Sequence, residues 1–497
     1  MPDIASSLPG DHHEPRLRLL NDAAVRNSGQ FVLYWMTGAR RTTWNFALER
    51  AVAWMKDLQR PLVVLEALRV DYPWASHRHH AFIIRGMAEN QRRLAAKGVT
   101  SYAYVEPSPG AGRGLLQALA SKACVIVTDD APIFFLGRMV EKSAMKAPVR
   151  VEAIDSNGLV PVRLAEKQYL TAASFRRFLH MELPVHLADF PVEDPLRTVP
   201  AFKAPNLEKI KKKWPPMPAT GMADVDAIIH SLPIDQGVPA IPGQGGPRTG
   251  QRRWREFLQE RLESYGLSGR RTLDNTSSGL SSYLHYGHIS VHQIAREIFR
   301  HEEWSPDRID ETSRGRREGW WGLSPAAESF MDQLVTWREL GLNMHANHAK
   351  PESYGSLPGW ARETLEGHAK DIRPYRYDMK ALESAKTHDL LWNAAQRQLL
   401  QEGIIHNYLR MLWGKKILEW TSSPRRALQV MLHLNNRHAL DGRDPNSTSG
   451  IFWTLGRYDR PWFPERPIFG RVRYMSSANT ARKMQVRAYM AKYSSGD

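Results

Sequence analysis

The sequence has almost no cysteine and no long apolar run. Its single cysteine, Cys124, excludes an intrachain disulfide framework and a cysteine metal cluster, and we expect a buried strand thiol and no metal site. Apolar runs such as residues 31–36 are far shorter than the roughly 20 residues that a membrane helix needs. The first thirty residues hold acids, prolines and a histidine pair, so no secretory signal is recognisable. These features predict a cytoplasmic protein without a membrane partner, associated with the nucleoid if the source is prokaryotic.

The composition is close to that of soluble globular proteins except in its charge. Of 497 residues, 42 % are hydrophobic and 24 % are charged, which excludes fibrous and largely disordered chains, and the length predicts two or three domains. Lys and Arg number 68 against 52 Asp and Glu, a formal net charge of +16. Such an excess predicts a polyanionic partner, because each neutralised phosphate releases counterions. The alternative is a basic protein that is merely soluble.

The first part of the chain alternates short β-rich runs with helical patterns. Strands are predicted over 31–36, 62–67, 101–105 and 124–128, and helices over 44–57, 80–97 and 115–121. Nearly continuous apolar strands are typical of a parallel sheet that helices cover on both faces. We therefore predict a doubly wound α/β domain over 30–188, after an N-terminal extension over 1–29.

Two glycine-rich segments are less informative. Residues 110–114 resemble a dinucleotide-binding loop, but they lack its spacing and follow the third strand, so a plain glycine loop is the alternative. Residues 189–253 are rich in proline and glycine and predict a connector. Its basic stretch, 209–214, is either a phosphate contact or a solvated face. From 254 to 497 helical periodicity predicts an all-α domain.

Residues 275–285 begin with small hydroxyl residues and a glycine and lead directly into a predicted helix. Such a start presents backbone N–H groups and the positive end of the helix dipole to an anion. Ordinary helix capping explains the same residues. By itself, the segment leaves an anion site and a plain cap open.

Together with its continuation to residue 290, this segment resembles the flavin-diphosphate loop of DNA photolyases and cryptochromes. Residues 391–396, 406–411, 413–420, 440–446 and 470–476 are similar to class II cyclobutane pyrimidine dimer photolyases. The similarity is dense from about 265 to 492 and thinner at 34–36 in the first domain.

The resemblance implies FAD in the helical domain and damaged DNA as the partner of a monomer. In this family, reduced FAD excited by near-UV or blue light donates an electron to a pyrimidine dimer, whose ring splits before the electron returns. The first domain would hold an antenna chromophore of the deazaflavin or folate type. Three alternatives stay open: a cryptochrome-like light sensor, a photolyase for the 6-4 photoproduct that uses a histidine such as His406 or His433, and a nucleic-acid-binding protein without flavin.

The resemblance also assigns site residues. For cofactor binding it implies Tyr265, Ser277, Ser278, Gly279, Leu280, Ser281, Arg338, Arg410, Asn435, Asp441 and Gly442, with Asn435 near the flavin N5. For electron transfer to the flavin it implies the tryptophan trio Trp392, Trp413 and Trp420. For the DNA lesion it implies Gln333, Trp337, Asn407, Met411 and Trp453.

Spacing supports part of this assignment without deciding it. Trp413 and Trp420 are seven residues apart on a predicted helix, about two turns and roughly 10 Å, so both indoles lie on one face. That distance suits an electron step, and a packed indole stripe has the same spacing. Arg410 sits in a mainly apolar stretch where a guanidinium needs a carboxylate, which in the family is Asp441.

Four departures from the family pattern are visible. Gln333 replaces a glutamate that in the family hydrogen-bonds the dimer. Its amide can still hydrogen-bond a thymine carbonyl, but it cannot transfer a proton to the lesion. Ser282 replaces a proline, and Asn436 replaces the acid after Asn435. Ser447 and Thr448 replace a glycine and an aromatic residue beside the pocket. The changes at Asn436 and at Ser447 and Thr448 bear on lesion specificity more than on flavin binding.

Overall fold

The computed structural model describes residues 15–218, 222–266 and 277–494. The chain divides into two compact units, each made of separate segments. The first consists of Met1–Ala165, Glu182–Arg255 and Leu280–Ser305, and the second of Glu166–Met181, Glu256–Gly279 and Pro306–Asp497. The domain boundaries expected from the sequence stay predictions. Asn275 and Thr276, the start of the predicted flavin-diphosphate loop, lie outside the described residues.

A six-stranded mixed sheet organises the first unit. Its strands are β1 (Leu17–Leu19), β2 (Phe31–Met36), β3 (Leu62–Leu68), β4 (Thr100–Val105), β5 (Ala123–Asp129) and β6 (Val151–Ile154). They lie in the order β1-β6-β5-β2-β3-β4, and only β1 is antiparallel, to β6. The predicted α/β class is confirmed, with the strand direction reversed at one edge.

Alternate side chains of β2 enter the cores on the two faces of this sheet. Val32 and Tyr34 pack with helix residues on one face, and Phe31, Leu33 and Trp35 pack on the other. Because successive side chains of a strand point to opposite faces, a strand buried on both sides must be apolar throughout. The same constraint applies to Cys124 in β5, whose thiol is buried and has its pKa raised by that burial.

Helices account for most of the remaining regular structure. In chain order they are α1 (Phe46–Leu58), α2 (His77–Ala96), α3 (Leu115–Ala120), α4 (Leu136–Ala144), α5 (Ala172–His186), α6 (Glu208–Lys213), α7 (Met222–His230), α8 (Pro247–Glu260), α9 (Ser281–His285), α10 (Val291–His301), α11 (Pro325–Met331), α12 (Arg338–Asn347), α13 (Gly359–Gly367), α14 (Met379–Glu383), α15 (Leu390–Glu402), α16 (Asn407–Trp420), α17 (Pro424–His438), α18 (Pro445–Thr454), α19 (Ser477–Lys483) and α20 (Val486–Lys492). A π-helical segment, Asp332–Trp337, joins α11 to α12. None of the described helices combines the length and apolar character needed to cross a bilayer.

The core of the second unit lies among α15, α16, α17 and α18. Asp389 caps α15 by accepting a hydrogen bond from Trp392 N, and Ser423 caps α17 by accepting one from Arg426 N. Gly414 lets α16 approach α18, because a Cβ at this position would lie 2.6 Å from Thr454 Cγ2. The predicted all-α character holds for the described part of this unit, which contains helices and no named strand.

Some sequence-based expectations differ from the structure. The stretch expected to be an irregular connector contains α6, α7 and the start of α8, and the basic segment forms α6 with Ile210 and Trp214 buried. Strands β1 and β6 were not expected, because three or four residues are too few for a clear alternation.

The glycine-rich loop at 110–114 is held by its own neighbours. Gly112 N donates a hydrogen bond to Glu106 Oε1 at 3.0 Å, and Trp214 Nε1 donates one to Ala111 O at 3.0 Å. Gly114 has a φ of +89°, and a Cβ there would lie 3.3 Å from the Trp214 ring. These contacts favour a plain structural loop over a dinucleotide site.

Replacing Gly287 with Ala should destabilise the fold by about 3 kcal/mol, because left-handed backbone strain adds to overpacking. Gly287 has a φ of +68°, and a Cβ there would collide with Gly38 O and lie 2.8 Å from Arg40 N. Denaturant unfolding measures the change. Gly367→Ala is the matched control, because no atom lies within 4 Å of the added carbon. Equal stability of the two variants would contradict the prediction.

Candidate functional site

A buried ion pair links α16 to the turn that follows α17. Arg410 Nη2 lies 3.2 and 3.3 Å from the two carboxylate oxygens of Asp441, and both side chains are largely buried. Arg410 Nη1 donates a second hydrogen bond to Ser447 Oγ on α18, at 3.1 Å. One guanidinium therefore ties together α16, α18 and the turn between α17 and α18.

Asn435 joins the same network from α17. Its Nδ2 lies 3.0 Å from Ser447 Oγ and 3.2 Å from Asn436 Oδ1. Asn436 Oδ1 also accepts the backbone N–H of Arg443 at 3.0 Å, so this amide oxygen ties α17 to the turn that follows it. Ser447 was noted in the sequence only as a departure, whereas its hydroxyl bridges Arg410 and Asn435.

The tryptophan trio is fully buried in the core of the second unit. Trp392 and Trp420 have their ring centres 5.4 Å apart in an edge-to-face arrangement. Trp392 Nε1 donates to the backbone carbonyl of Trp413 at 3.1 Å, and Trp413 Nε1 donates to Gln396 Oε1 at 2.8 Å. The structure thus brings the three predicted indoles together, and it adds Gln396, which the sequence analysis left out.

Two predicted lesion residues lie in the π-helical segment. Gln333 and Trp337 are four residues apart, and a helix with i→i+5 hydrogen bonds has more than four residues per turn, so the two side chains point in nearly the same direction. Asp332, at the start of the segment, is buried and paired with Arg176 at 2.8 Å. Residue spacing alone cannot reveal such a segment, because its sequence reads as ordinary α-helix.

The other predicted lesion residues lie on α16 and α18. Asn407 is exposed at the first position of α16, and Met411 is half-buried one turn later. A Cβ at Gly450 would lie 3.6 Å from Met411 Cε, so these two helices meet at this point. Trp453 is half-buried one turn further along α18.

Lys415 is a buried lysine that contacts Trp453. Its Nζ donates to Thr454 O at 2.6 Å and lies 5.2 Å from the centre of the Trp453 ring. Among the described residues no carboxylate lies within ion-pair distance of it. Burial lowers the pKa of Lys415 to about 7, an effect that the Asp459 carboxylate opposes and the Arg473 guanidinium strengthens.

Residues 459–474 form a loop, here called the arginine loop, to which the sequence analysis gave no role. Phe463, within this loop, is 73 % exposed. Trp462 is stacked under Arg473, whose guanidinium carbon lies 3.9 Å from the ring centre. Asp459 accepts hydrogen bonds from Arg473 Nε at 3.0 Å and from Trp462 Nε1 at 3.2 Å.

The arginine loop contacts Trp453, one of the predicted lesion-binding residues. The Arg473 guanidinium carbon lies 5.5 Å from the centre of the Trp453 ring. A signal for it existed in the sequence. Arginines alternate with aromatic residues along this segment, a pattern typical of surfaces that bind nucleic acid.

The remaining predicted cofactor residues are spread more widely. Tyr265 packs edge-on against Phe257 and Phe330, and burial raises its pKa to about 12. Gly442 must be glycine, because a Cβ there would lie 2.7 Å from Asn435 O. The predicted diphosphate segment is divided between the units, with residues 277–279 in the second and residues 280 and 281 in the first. Helix α9, which begins at Ser281, has no side-chain cap. Arg338 is the first residue of α12. For all these residues a role in binding stays a prediction.

Comparison with known proteins gives a consistent answer. No protein-family model matches the chain. A deoxyribodipyrimidine photo-lyase of Methanothermobacter thermautotrophicus is 33 % identical over 479 residues, covering 96 % of this chain and 98 % of that protein. Another, from Oryza sativa subsp. japonica, is 33 % identical over 500 residues, covering 96 % and 90 %. A crystal structure of a bacterial class III photolyase from Agrobacterium tumefaciens covers 94 % of this chain and 86 % of its own, with a TM-score of 0.64 and 16 % identity.

The structural likeness shows the photolyase fold, and the full-length relatives decide the family. The chain belongs to the photolyase/cryptochrome family, and the relatives that it matches from end to end are lyases. The family resemblance read from the sequence is confirmed at this level. Members of the family bind FAD.

Replacing Lys415 with Met should remove a pH dependence of stability. Between pH 7 and 10.5, the unfolded chain holds a proton on this lysine that the folded chain has released. Stability of the unmodified protein should therefore rise with pH, by up to about 1.4 kcal/mol per unit from this group. The unfolding free energy of the Lys415→Met variant minus that of the unmodified protein should therefore decrease as the pH rises from 7 to 10.5.

Urea titrations at pH 7, 8, 9 and 10 measure this difference. Lys416→Met is the matched control, since Lys416 pairs with Glu419 at 2.8 Å. A difference between the Lys415→Met variant and the unmodified protein that stays constant with pH would contradict the assignment of a depressed pKa to Lys415.

Proposed function

We propose that this chain is a class II photolyase that splits cyclobutane pyrimidine dimers in DNA with an electron from photoexcited, reduced FAD. The observation that carries the proposal is the end-to-end similarity to proteins named deoxyribodipyrimidine photo-lyase. The buried tryptophan trio and the Arg410–Asp441 pair supply independent physical support. No specific observation favours the light-sensor or 6-4 alternatives, so the cyclobutane dimer is the lesion proposed.

The network around Asn435 fits a bound flavin ring. Asn436 Nδ2 and Thr448 Oγ1 are buried, and neither has a hydrogen-bond partner within the described part of the chain. Buried donors of this kind are costly unless a ligand or water satisfies them. These two residues directly follow Asn435 and Ser447 in the sequence, so their unsatisfied groups support a polar ligand next to this network.

In this proposal the flavin supplies light absorption and the transferred electron, and the chain holds it in place. Arg410 would present its guanidinium to the pyrimidine edge of the flavin's isoalloxazine ring. Its orientation is fixed, because Asp441 and Ser447 hydrogen-bond two of its nitrogens. Asn435 offers an amide near N5, where its donor and acceptor suit both protonation states. Residues 277–281 would bind the diphosphate with backbone N–H groups.

The lesion would bind between flat apolar walls. Trp337 and Trp453 are half-buried and Met411 is a polarisable neighbour, which suits a flipped-out pyrimidine pair. Asn407 is exposed one turn before Met411 and can donate or accept at a base edge. Gln333 points the same way as Trp337 and offers an amide N–H to a thymine carbonyl.

The arginine loop would bind the damaged strand around that pocket. Its exposed Phe463 and the stacked pair of Trp462 and Arg473 offer apolar and cationic surfaces together. Phosphate contacts by such arginines make affinity fall steeply with salt, and the chain's charge of +16 favours the same behaviour.

An antenna chromophore, of the deazaflavin or folate type, would lie in the first unit at the carboxyl ends of β3 and β5. These strands flank β2, where the strand order reverses, and ligands of open α/β sheets bind at such a switch point. The loops beyond the two strands carry rings in contact, with Tyr72 and Phe135 centred 5.6 Å apart and Trp74 and Phe134 centred 6.1 Å apart.

The purified protein should show flavin absorption bands, and blue light should restore intact thymines in dimer-containing oligonucleotides. Trp392→Phe should slow photoreduction of the oxidised flavin by about tenfold or more, because Trp392 is the member of the trio that contacts both of the others. Trp360→Phe is the control, since Trp360 packs on the same core outside the trio.

Each failure of this experiment has its own meaning. Flavin bands without thymine recovery would replace the proposal with a light sensor or a different lesion. A colourless protein that still binds DNA would leave a nucleic-acid-binding protein. Normal photoreduction in the Trp392→Phe variant would remove the trio from the mechanism.

Restoring the family's acid with Gln333→Glu should raise the number of dimers repaired per absorbed photon by about threefold at low pH, because a protonated carboxyl is a stronger donor than an amide. The gain should disappear as the carboxyl loses its proton. Gln429→Glu adds the same charge at an exposed position of α17 and serves as control. Equal repair yields of the Gln333→Glu variant and the unmodified protein at every pH would contradict the prediction and show that the Gln333 amide is as effective a donor as the carboxyl.

A further inference from the structure

Gln396 is a buried amide whose orientation is imposed from both sides. It is completely buried on α15, where its Oε1 accepts the Trp413 indole N–H at 2.8 Å. Its Nε2 donates to the backbone carbonyl of Glu383 at 3.2 Å. Because an indole nitrogen only donates and a carbonyl only accepts, the amide can satisfy both neighbours in this orientation alone.

Trp413 and Trp392, here called the inner members of the trio, share one property. Trp413 donates to an amide oxygen and Trp392 donates to a backbone carbonyl, and neither acceptor takes up a proton at neutral pH. Trp420 differs, since no acceptor for its Nε1 is found among the described residues. Its ring lies 5.4 Å from exposed His388 and 5.5 Å from Lys416 Nζ, a cation that disfavours a second positive charge.

We propose that Gln396 is a positioning residue that keeps the indole proton on Trp413 while this indole carries a positive charge. An indole that has lost an electron is a far stronger acid than a neutral one, so a basic partner would remove its proton and trap the radical at Trp413. An amide stabilises the charge by accepting the hydrogen bond and leaves the N–H bond intact. The positive charge can then move from Trp413 to Trp392 and on to Trp420.

The electrons and protons balance in this scheme, which rests on the proposed function. With FAD bound, Trp413 would give one electron to the photoexcited, oxidised flavin, Trp392 would refill Trp413, and Trp420 would refill Trp392. The only N–H bond that breaks is that of Trp420, whose proton goes to water. An external thiol later returns one electron, and water returns the proton.

The decisive variant is Gln396→Glu, which keeps the size and the acceptor but makes the partner a base. Desolvation and the facing Glu383 carbonyl should raise the pKa of the introduced carboxyl above its usual range. At low pH the variant should behave like the unmodified protein. At high pH a flash should produce the neutral Trp413 radical instead of the cation, and the yield of oxidised Trp420 should fall by about tenfold.

The unmodified protein should show no such titration, and Gln401→Glu is the matched control because Gln401 is exposed on the same helix. Charged groups on the surrounding elements are present in all three proteins, so they cancel in the comparison. They are Glu383 on α14, Lys416 on α16, Arg437 and His438 on α17, and Lys492 on α20.

A second measurement needs no light and no reaction. The indole N–H signal of Trp413, assigned with a Trp413→Phe variant in protein labelled with nitrogen-15, should exchange slowly with solvent. Gln396→Leu should shift this signal upfield and speed its exchange by about tenfold, because the acceptor is gone. Melting temperature and flavin content show whether the variant is folded.

The outcomes separate this proposal from the one on which it rests. If Trp392→Phe photoreduces normally, the trio itself is not used and the proposed function must change. If the trio is required but Gln396→Glu gives a cation and a full Trp420 yield at every pH, the role of Gln396 is overturned. An unchanged Trp413 signal in Gln396→Leu would overturn it as well.

Discussion

The buried contact between Arg410 and Asp441 is the interaction on which the rest of the candidate site depends. A guanidinium in a mostly apolar bundle is tolerated only when a carboxylate and further acceptors satisfy it, and removing one partner of such a pair typically costs about 3 to 5 kcal/mol. Asp441 and Ser447 provide these partners from two different elements. The requirement fixes α16 against α18 and against the turn after α17, and that arrangement brings Asn435 into the network.

The same helices impose a second constraint on the tryptophans. Once α15 and α16 pack at helical spacing, the buried indole N–H groups need acceptors, since a buried donor without one is costly. Here the acceptors are a backbone carbonyl and the amide of Gln396, both neutral and non-basic. Packing and redox chemistry are therefore compatible at Trp392 and Trp413, because both indole N–H groups are satisfied and neither acceptor is a base.

Particular elements show how far sequence reasoning reaches. The central strands and helices α1 and α2 were predicted to within a few residues, because long apolar runs and amphipathic periods are local signals. Strands β1 and β6 were missed because they exist only through pairing with each other or with β5. The π-helical turn at Asp332–Trp337 was missed for a similar reason, since a π-turn carries no residue pattern that distinguishes it from α-helix.

By itself, the sequence determined the family and the α/β and all-α halves, because these follow from local periodicity and from long motifs, and it supplied the candidate site residues as predictions. The tertiary structure decided which side chains meet. The bridge made by Ser447, the acceptor role of Asn436 toward Arg443, the contact of Lys415 with Trp453 and the amide of Gln396 on Trp413 each join residues from different elements. Hydrogen bonds and ion pairs act over about 3 Å in space, and distance along the chain carries no information about contacts of that range.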